Sequence, residues 1–211
     1  MIKTVIFDLG GVLVRTEDPT PRKLLADRYG ISSTQLSDLV YRSESGMQAM
    51  VGEITTAQHW EFIDQKLGLP EGSVAQFEKD FWGGDHLDQV LIDFIAGLRS
   101  SYQTALLSNA WDNLRHLLED LWKVDHVFDR IFVSAEIGAA KPDPAIYQFV
   151  FQELEKKPEE IVFVDDFQVN VTAARELGMQ AILFRSREQA LLELMDLLDT
   201  GSQLRSPEQG I

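Results

Sequence analysis

The sequence predicts an α/β fold: a parallel sheet flanked by helices, with a small all-helical unit inserted after the first strand. Three observations lead there. The chain opens on a short apolar run, Val5-Ile6-Phe7, that ends in Asp8 and the paired glycines Gly10-Gly11. A long stretch with only helical periodicity follows. From Thr104 onward strand-like and helix-like runs alternate, which means parallel strands joined by right-handed helical crossovers.

Taken in order, Val5-Ile6-Phe7 has the β-branched and aromatic bias of a buried strand, and the glycines after it let the backbone turn tightly. Past Leu13, residues 21–29, 33–45, 55–67 and 73–81 carry apolar positions at three- and four-residue steps and read as four helices of a compact cap. Strands are expected at 104–107, 130–133, 161–164 and 180–183. Helices are expected near 87–98, 111–121, 145–154, 169–177 and 187–198. The polar, proline-bearing segment 201–211 reads as a flexible tail. The expected units are a discontinuous core, 1–14 and 86–200, and a helical cap, 15–85.

With 211 residues, 45% of them hydrophobic, the chain can bury one good core and a small accessory lobe. No apolar run approaches bilayer length and the chain opens directly on its first strand, so a cytoplasmic location is expected. The absence of cysteine excludes disulfides, thiolate catalysis and Cys-type zinc sites. His59, His86, His116 and His126 lack metal-ligand spacing and are expected at the surface or in structural roles. The net charge of −15, with no basic stripe to offset it, argues against nucleic acid and anionic membranes as partners. Monomer and homodimer both stay open.

Four groups of residues carry candidate chemistry. A carboxylate held at a strand exit, as Asp8 is, acts as nucleophile, metal ligand or both, unless it merely caps the strand before a turn. Ser108 and Asn109 end a second apolar run and offer a hydroxyl and an amide to a phosphate oxygen, or cap a helix. Lys141 sits in a loop stiffened by Pro142 and Pro144 and offers a point charge to an anion, or is ordinary exposed charge. Asp165 and Asp166 end a third run; adjacent acids repel, and a divalent cation between them and Asp8 explains the pair more easily than a helix cap does. All but the lysine fall at expected strand C-termini, which in an open α/β sheet share one crevice.

In that order and wording the chain resembles the haloacid dehalogenase superfamily of aspartate-nucleophile hydrolases, in the phosphatase-like branch with a helical cap after the first strand. The likeness covers nearly the whole chain. It implies a Rossmann-like core, Asp8 as nucleophile, Ser108 as the second-motif hydroxyl, Lys141 as the third-motif lysine, and Asp166 as a metal ligand with Asp165 beside it. It also implies Mg²⁺ as cofactor, held by Asp8, the Gly10 backbone carbonyl and Asp166, and a small phosphorylated metabolite, sugar phosphates included, as substrate. One position departs from the pattern. The second aspartate that such phosphatases carry two residues after the nucleophile, as general acid and base, is here Gly10.

That departure leaves three readings: a phosphatase, a low-activity or non-catalytic relative that serves by binding, and a 2-haloacid dehalogenase. Dehalogenases resemble Ser-Asn-x-Trp-Asp at their fourth motif, and residues 108–112 spell that string at the second motif instead, a likeness read as accidental. The retained Asp165-Asp166 pair favours phosphate chemistry. Glu53, in the segment 46–54, resembles the cap turn that relatives point at their active sites; it either binds a substrate hydroxyl or amine or faces solvent. Arg15 either reaches a second anionic group or is exposed, and Trp60, Phe62, Phe77, Phe81 and Trp82 are expected in the cap's own core.

Overall fold

Among the described residues, strands form two sheets. The structure, a computed structural model, describes residues 1–203. In chain order the strands are β1 (Thr4–Phe7), β2 (Val14–Thr16), β3 (Asp85–Leu87), β4 (Gln103–Ser108), β5 (Arg130–Val133), β6 (Ile161–Asp165) and β7 (Gln180–Leu183). Five of them make a parallel sheet in the order β5-β4-β1-β6-β7, so the first strand lies in its middle. Every residue of β1 is buried, which is why it reads as an unbroken apolar run rather than an alternating one. Val5, Phe7, Leu106, Val162 and Val164 pack on one face, and Ile6, Ala105, Leu107, Ile161 and Phe163 on the other, the two-residue alternation of a pleated sheet.

Five helices, α1 (Thr20–Arg28), α2 (Ser33–Tyr41), α3 (Glu44–Met50), α4 (Thr56–Leu67) and α5 (Val74–Trp82), follow β2. The sequence led us to expect four. The single helix expected over 33–45 breaks at Arg42, and the Ser43 side chain accepts the Gly46 N–H to start α3 afresh, so the expected turn at 46–54 begins as helix. These helices share a core of Leu25, Leu36, Val40, Trp60, Ile63, Phe77 and Phe81, with Phe62 and Trp82 packed against it. The helical insert is closed by an antiparallel ribbon that the sequence did not reveal, Val14 opposite Leu87 and Thr16 opposite Asp85.

The remaining α-helices are α6 (Gln89–Leu98), α7 (Leu114–His116), which runs on into a π-helical turn (Leu117–Leu121), α8 (Ser134–Ile137), α9 (Pro144–Leu154), α10 (Gln168–Glu176) and α11 (Arg187–Gln203). The helix expected near 87–98 starts later because Leu87 belongs to β3 and Asp88, accepting the Leu91 N–H, is its cap. The tail expected from Gly201 begins as the last turn of α11, which holds no proline, and 204–211 lie outside the described residues. Register sets the site. Phe7 pairs with both Leu106 and Val164, so Asp8 and Asp165 leave the sheet side by side.

Candidate active site

Asp8 follows β1 directly and is buried. Its Oδ1 accepts the Leu9 N–H at 2.7 Å and the Lys141 Nζ at 2.7 Å. Lys141 comes from the loop before α9 and is itself buried. Its other protons go to the Leu107 carbonyl at 2.9 Å and Asp165 Oδ2 at 2.8 Å, so all three ammonium donors have partners. Asp165 is completely buried, and it also accepts the Phe167 N–H at 2.8 Å and Asn170 Nδ2 at 3.0 and 3.1 Å. The Asn170 carbonyl in turn accepts the Tyr147 hydroxyl at 3.0 Å. A buried ion pair survives only with hydrogen bonds of this completeness.

Asp166 differs from its neighbour. Its Oδ1 is buried with no hydrogen-bond partner. The carboxylate packs on Gly11, where a Cβ would lie 2.1 Å from Asp166 Oδ2 and where φ is +79°, so only glycine fits that turn. One oxygen from each of Asp8, Asp165 and Asp166 lies within 4.8 Å of the others. Three carboxylates thus face one ammonium. Burial pushes the Asp8 carboxyl up to about 7, with Lys141 opposing and Asp165 adding to the rise. Burial and then the Asp165 charge push Asp166 up to about 6. For Lys141, burial works against the charged form, but Asp8 and Asp165 outweigh it and leave its pKa above the ordinary value.

The remaining expected residues fall as follows. Ser108 ends β4, buried, and among the described residues its hydroxyl makes no hydrogen bond. Asn109 lies at the site, but its amide is engaged with Lys141: Oδ1 accepts the Lys141 N–H at 2.8 Å and Nδ2 donates to the Lys141 carbonyl at 2.8 Å. That pairing uses one of the two Nδ2 protons. Gly10 is exposed, and a Cβ there would meet no atom within 4 Å. Glu53 is exposed in the turn after α3, with its N–H donated to Gln48, and no contact among the described residues joins it to the cluster. Arg15 is held by Asp88 at 2.6 Å.

Sequence reasoning missed several contributors. Asn170 stood in view five residues past Asp165, without a role. Gly11 was read as a turn residue, and its closeness to Asp166 depends on where β6 ends. Trp111 and Asp112 were read as the start of a helix; instead Trp111 is buried in the core of the helical insert, 4.7 Å from His59 and 5.6 Å from Trp60 between ring centres. Asp112 Oδ1 accepts the Thr56 N–H at 3.0 Å and hydroxyl at 2.5 Å, at the start of α4. Ser134 Oγ donates to the Met50 carbonyl at 2.7 Å. The insert is therefore tied to the sheet by residues in the segment after β4 and by the residue that follows β5.

The oxygen-only donor set, the surplus of negative charge and the partnerless Asp166 Oδ1 together suit a hard divalent cation such as Mg²⁺. Comparison with known proteins agrees with the geometry. Residues 2–178 match the family model of haloacid dehalogenase-like hydrolases. The D-ribitol-5-phosphate phosphatase of Bacteroides thetaiotaomicron is 28% identical over 190 residues, covering 85% of this chain and 90% of that one. Bifunctional epoxide hydrolase 2 of Rattus norvegicus is 31% identical over 171 residues, 74% of this chain but 30% of that protein, so the chain spans about a third of the length of that relative. A solved HAD family enzyme from Bacteroides thetaiotaomicron, in complex with magnesium and inorganic phosphate, superposes with a TM-score of 0.76 at 25% identity, covering 89% of this chain and 96% of that one. No described helix is long and apolar enough to cross a membrane.

Proposed function

The chain belongs to the haloacid dehalogenase-like hydrolases, and from that premise we propose that it is a magnesium-dependent phosphatase of small phosphorylated metabolites with Asp8 as nucleophile. The observation that carries the proposal is the buried, partnerless Oδ1 of Asp166 beside a nucleophile candidate in a cluster of net negative charge. The phosphatase relative and the neighbour bound to magnesium and phosphate support it.

Asp8, Asp166 and the Gly10 carbonyl would hold the ion, which when bound supplies positive charge that lets an anionic ester approach a carboxylate. Asp8 Oδ1 is pinned by Leu9 and Lys141. Its Oδ2 is left to attack phosphorus in line, forming an aspartyl-phosphate as the ester oxygen departs. Water then cleaves that intermediate and returns the carboxylate. The Ser108 hydroxyl, which makes no hydrogen bond among the described residues, donates to a phosphoryl oxygen. Lys141 holds Asp8 in place and offsets its charge, and Asp165 fixes Lys141. Gly10 contributes no side chain to protonate the leaving group, help generally worth about two to four decades in rate, so slow turnover of alkyl esters is expected. Glu53 stays outside this proposal. The second reading, a relative that binds without turnover, is favoured by Gly10 alone, and the Asp165-Asp166 pair speaks against a dehalogenase.

The test is phosphate release from para-nitrophenyl phosphate and a panel of metabolite phosphates, with and without Mg²⁺, for the wild type and Asp8→Asn. Mg²⁺-dependent release that is lost in Asp8→Asn is expected. Equal release by the two proteins would sink the mechanism.

A further inference from the structure

We infer that Asn109 is a positioning residue that sets the ammonium of Lys141, rather than a group that grips the substrate; the inference rests on the phosphatase reading above for its catalytic consequence. Lys141 lies between Gly138 and Asp143 in a segment outside strand and helix. A loop residue of this kind has no ladder to fix it, yet its Nζ must meet three acceptors at 2.7 to 2.9 Å. Asn109 supplies the missing ladder. Its amide meets both polar groups of the Lys141 backbone, accepting the N–H and donating to the C=O, each at 2.8 Å, as a neighbouring strand would. The amide's orientation is fixed by this pairing, because the reversed group would set donor against donor and acceptor against acceptor.

A second contact fixes the other end of the same side chain. Lys141 Nζ donates to the carbonyl of Leu107, two residues before Asn109 on β4. Backbone and ammonium of Lys141 are thus both referenced to the end of one strand, which also carries Ser108. Loss of the Asn109 amide frees the backbone of the loop while leaving the Leu107, Asp8 and Asp165 acceptors in place. The ammonium then loses the geometry that pins Asp8 Oδ1, and chemistry suffers before binding does. Supporting partners of this kind typically change activity about tenfold to hundredfold on removal.

The experiment compares Asn109→Ala, Asn109→Gln and wild type by two readouts, after thermal melts confirm that each is folded. Steady-state kinetics on para-nitrophenyl phosphate is expected to show kcat lowered about tenfold to hundredfold in Asn109→Ala with KM unchanged, and partly recovered in Asn109→Gln, which keeps donor and acceptor on a longer arm. Acetic anhydride labelling of the folded proteins, read by peptide mass spectrometry, is expected to modify Lys141 faster in Asn109→Ala than in wild type. A raised KM at unchanged kcat, or Lys141 as unreactive in Asn109→Ala as in wild type, would overturn the inference. Should no ester be hydrolysed by any of the three, the phosphatase reading fails, and the labelling arm still decides whether Asn109 positions Lys141.

Discussion

The carboxylate–lysine cluster and the aromatic seam of the helical insert are two buried polar regions at opposite ends of one segment, 108–112, and they accommodate burial in contrasting ways. The cluster packs four ionisable groups: Lys141 and Asp165 are fully hydrogen-bonded, whereas Asp166 Oδ1 has no donor. The seam packs neutral rings, Trp111 against His59, Trp60 and Trp82, with one buried hydrogen bond, His59 Nδ1 to Ser45 Oγ at 2.9 Å. Both regions contain polar atoms without a well-formed partner: Asp166 Oδ1 in the first, His59 Nε2 and Trp60 Nε1 in the second. In the seam the unpaired atoms are ring nitrogens whose surroundings include acceptors, the Val40 carbonyl acting on His59 and the Glu78 carboxylate with Trp60. In the cluster the unpaired atom is an acceptor among further acceptors. The unpartnered oxygen of the cluster thus sits among charges of its own sign, and the unpartnered ring nitrogens of the seam sit near acceptors.

The sharpest way to break that distinction is to exchange the two adjacent aspartates. Asp165→Asn strips a buried ammonium of one counter-charge and is expected to cost roughly 3–5 kcal/mol in urea unfolding. Asp166→Asn is expected to leave stability unchanged or higher, since it neutralises a half-buried carboxylate that burial and the Asp165 charge disfavour, while Mg²⁺-dependent turnover disappears. Equal stability losses in both would erase the difference between the neighbours. In the seam, Trp111→Ala is expected to cost about 3–5 kcal/mol by the same measurement, with Mg²⁺ affinity by calorimetry unchanged.

The two glycines after Asp8 sharpen the comparison further. Gly11→Ala forces a side chain into positive φ and against Asp166, and should cost about 1–2 kcal/mol and impair metal binding. Gly10→Asp enters open space, and is expected to raise turnover of alkyl phosphates by about two decades or more, measured against an aryl ester as control. The smallest effect lies at Asp88, whose carboxyl pairs with Arg15 and Arg187. Burial pushes its carboxyl up, but hydrogen bonds from Arg15, the Leu91 N–H and Arg187 overcome this and leave it below the usual 3.8. A depressed folded pKa gives stability that is complete above the unfolded pKa and lost as pH falls through the folded one. Asp88→Asn should therefore cost about 1 kcal/mol at neutral pH, and the gap to wild type should close below about pH 4 in thermal melts.

The sheet and most of the cluster were legible because each strand that leads to the cluster is a continuous apolar run that stops at a polar residue. The runs ending at Asp8, Ser108 and Asp165 fix both the strand and the side chain that leaves it. Contacts between distant segments were not legible. The β2–β3 ribbon joins three-residue strands on either side of the helical insert, too short for any period to show. The pairing of Asn109 with Lys141 was hidden because the two lie 32 residues apart and Lys141 stands in a loop. The break between α2 and α3 turned on one serine that could equally have continued the helix. Trp111 fitted a helical start, and only the insert packed over it shows why an aromatic stands there.

The most direct test of the central claim is an acid quench of the protein during turnover with Mg²⁺ and a phosphate ester, followed by peptide mapping. The account predicts a phosphoryl group on the peptide that contains Asp8, absent from Asp8→Asn. Phosphate release with no label on Asp8, or with the label on another residue, would contradict it.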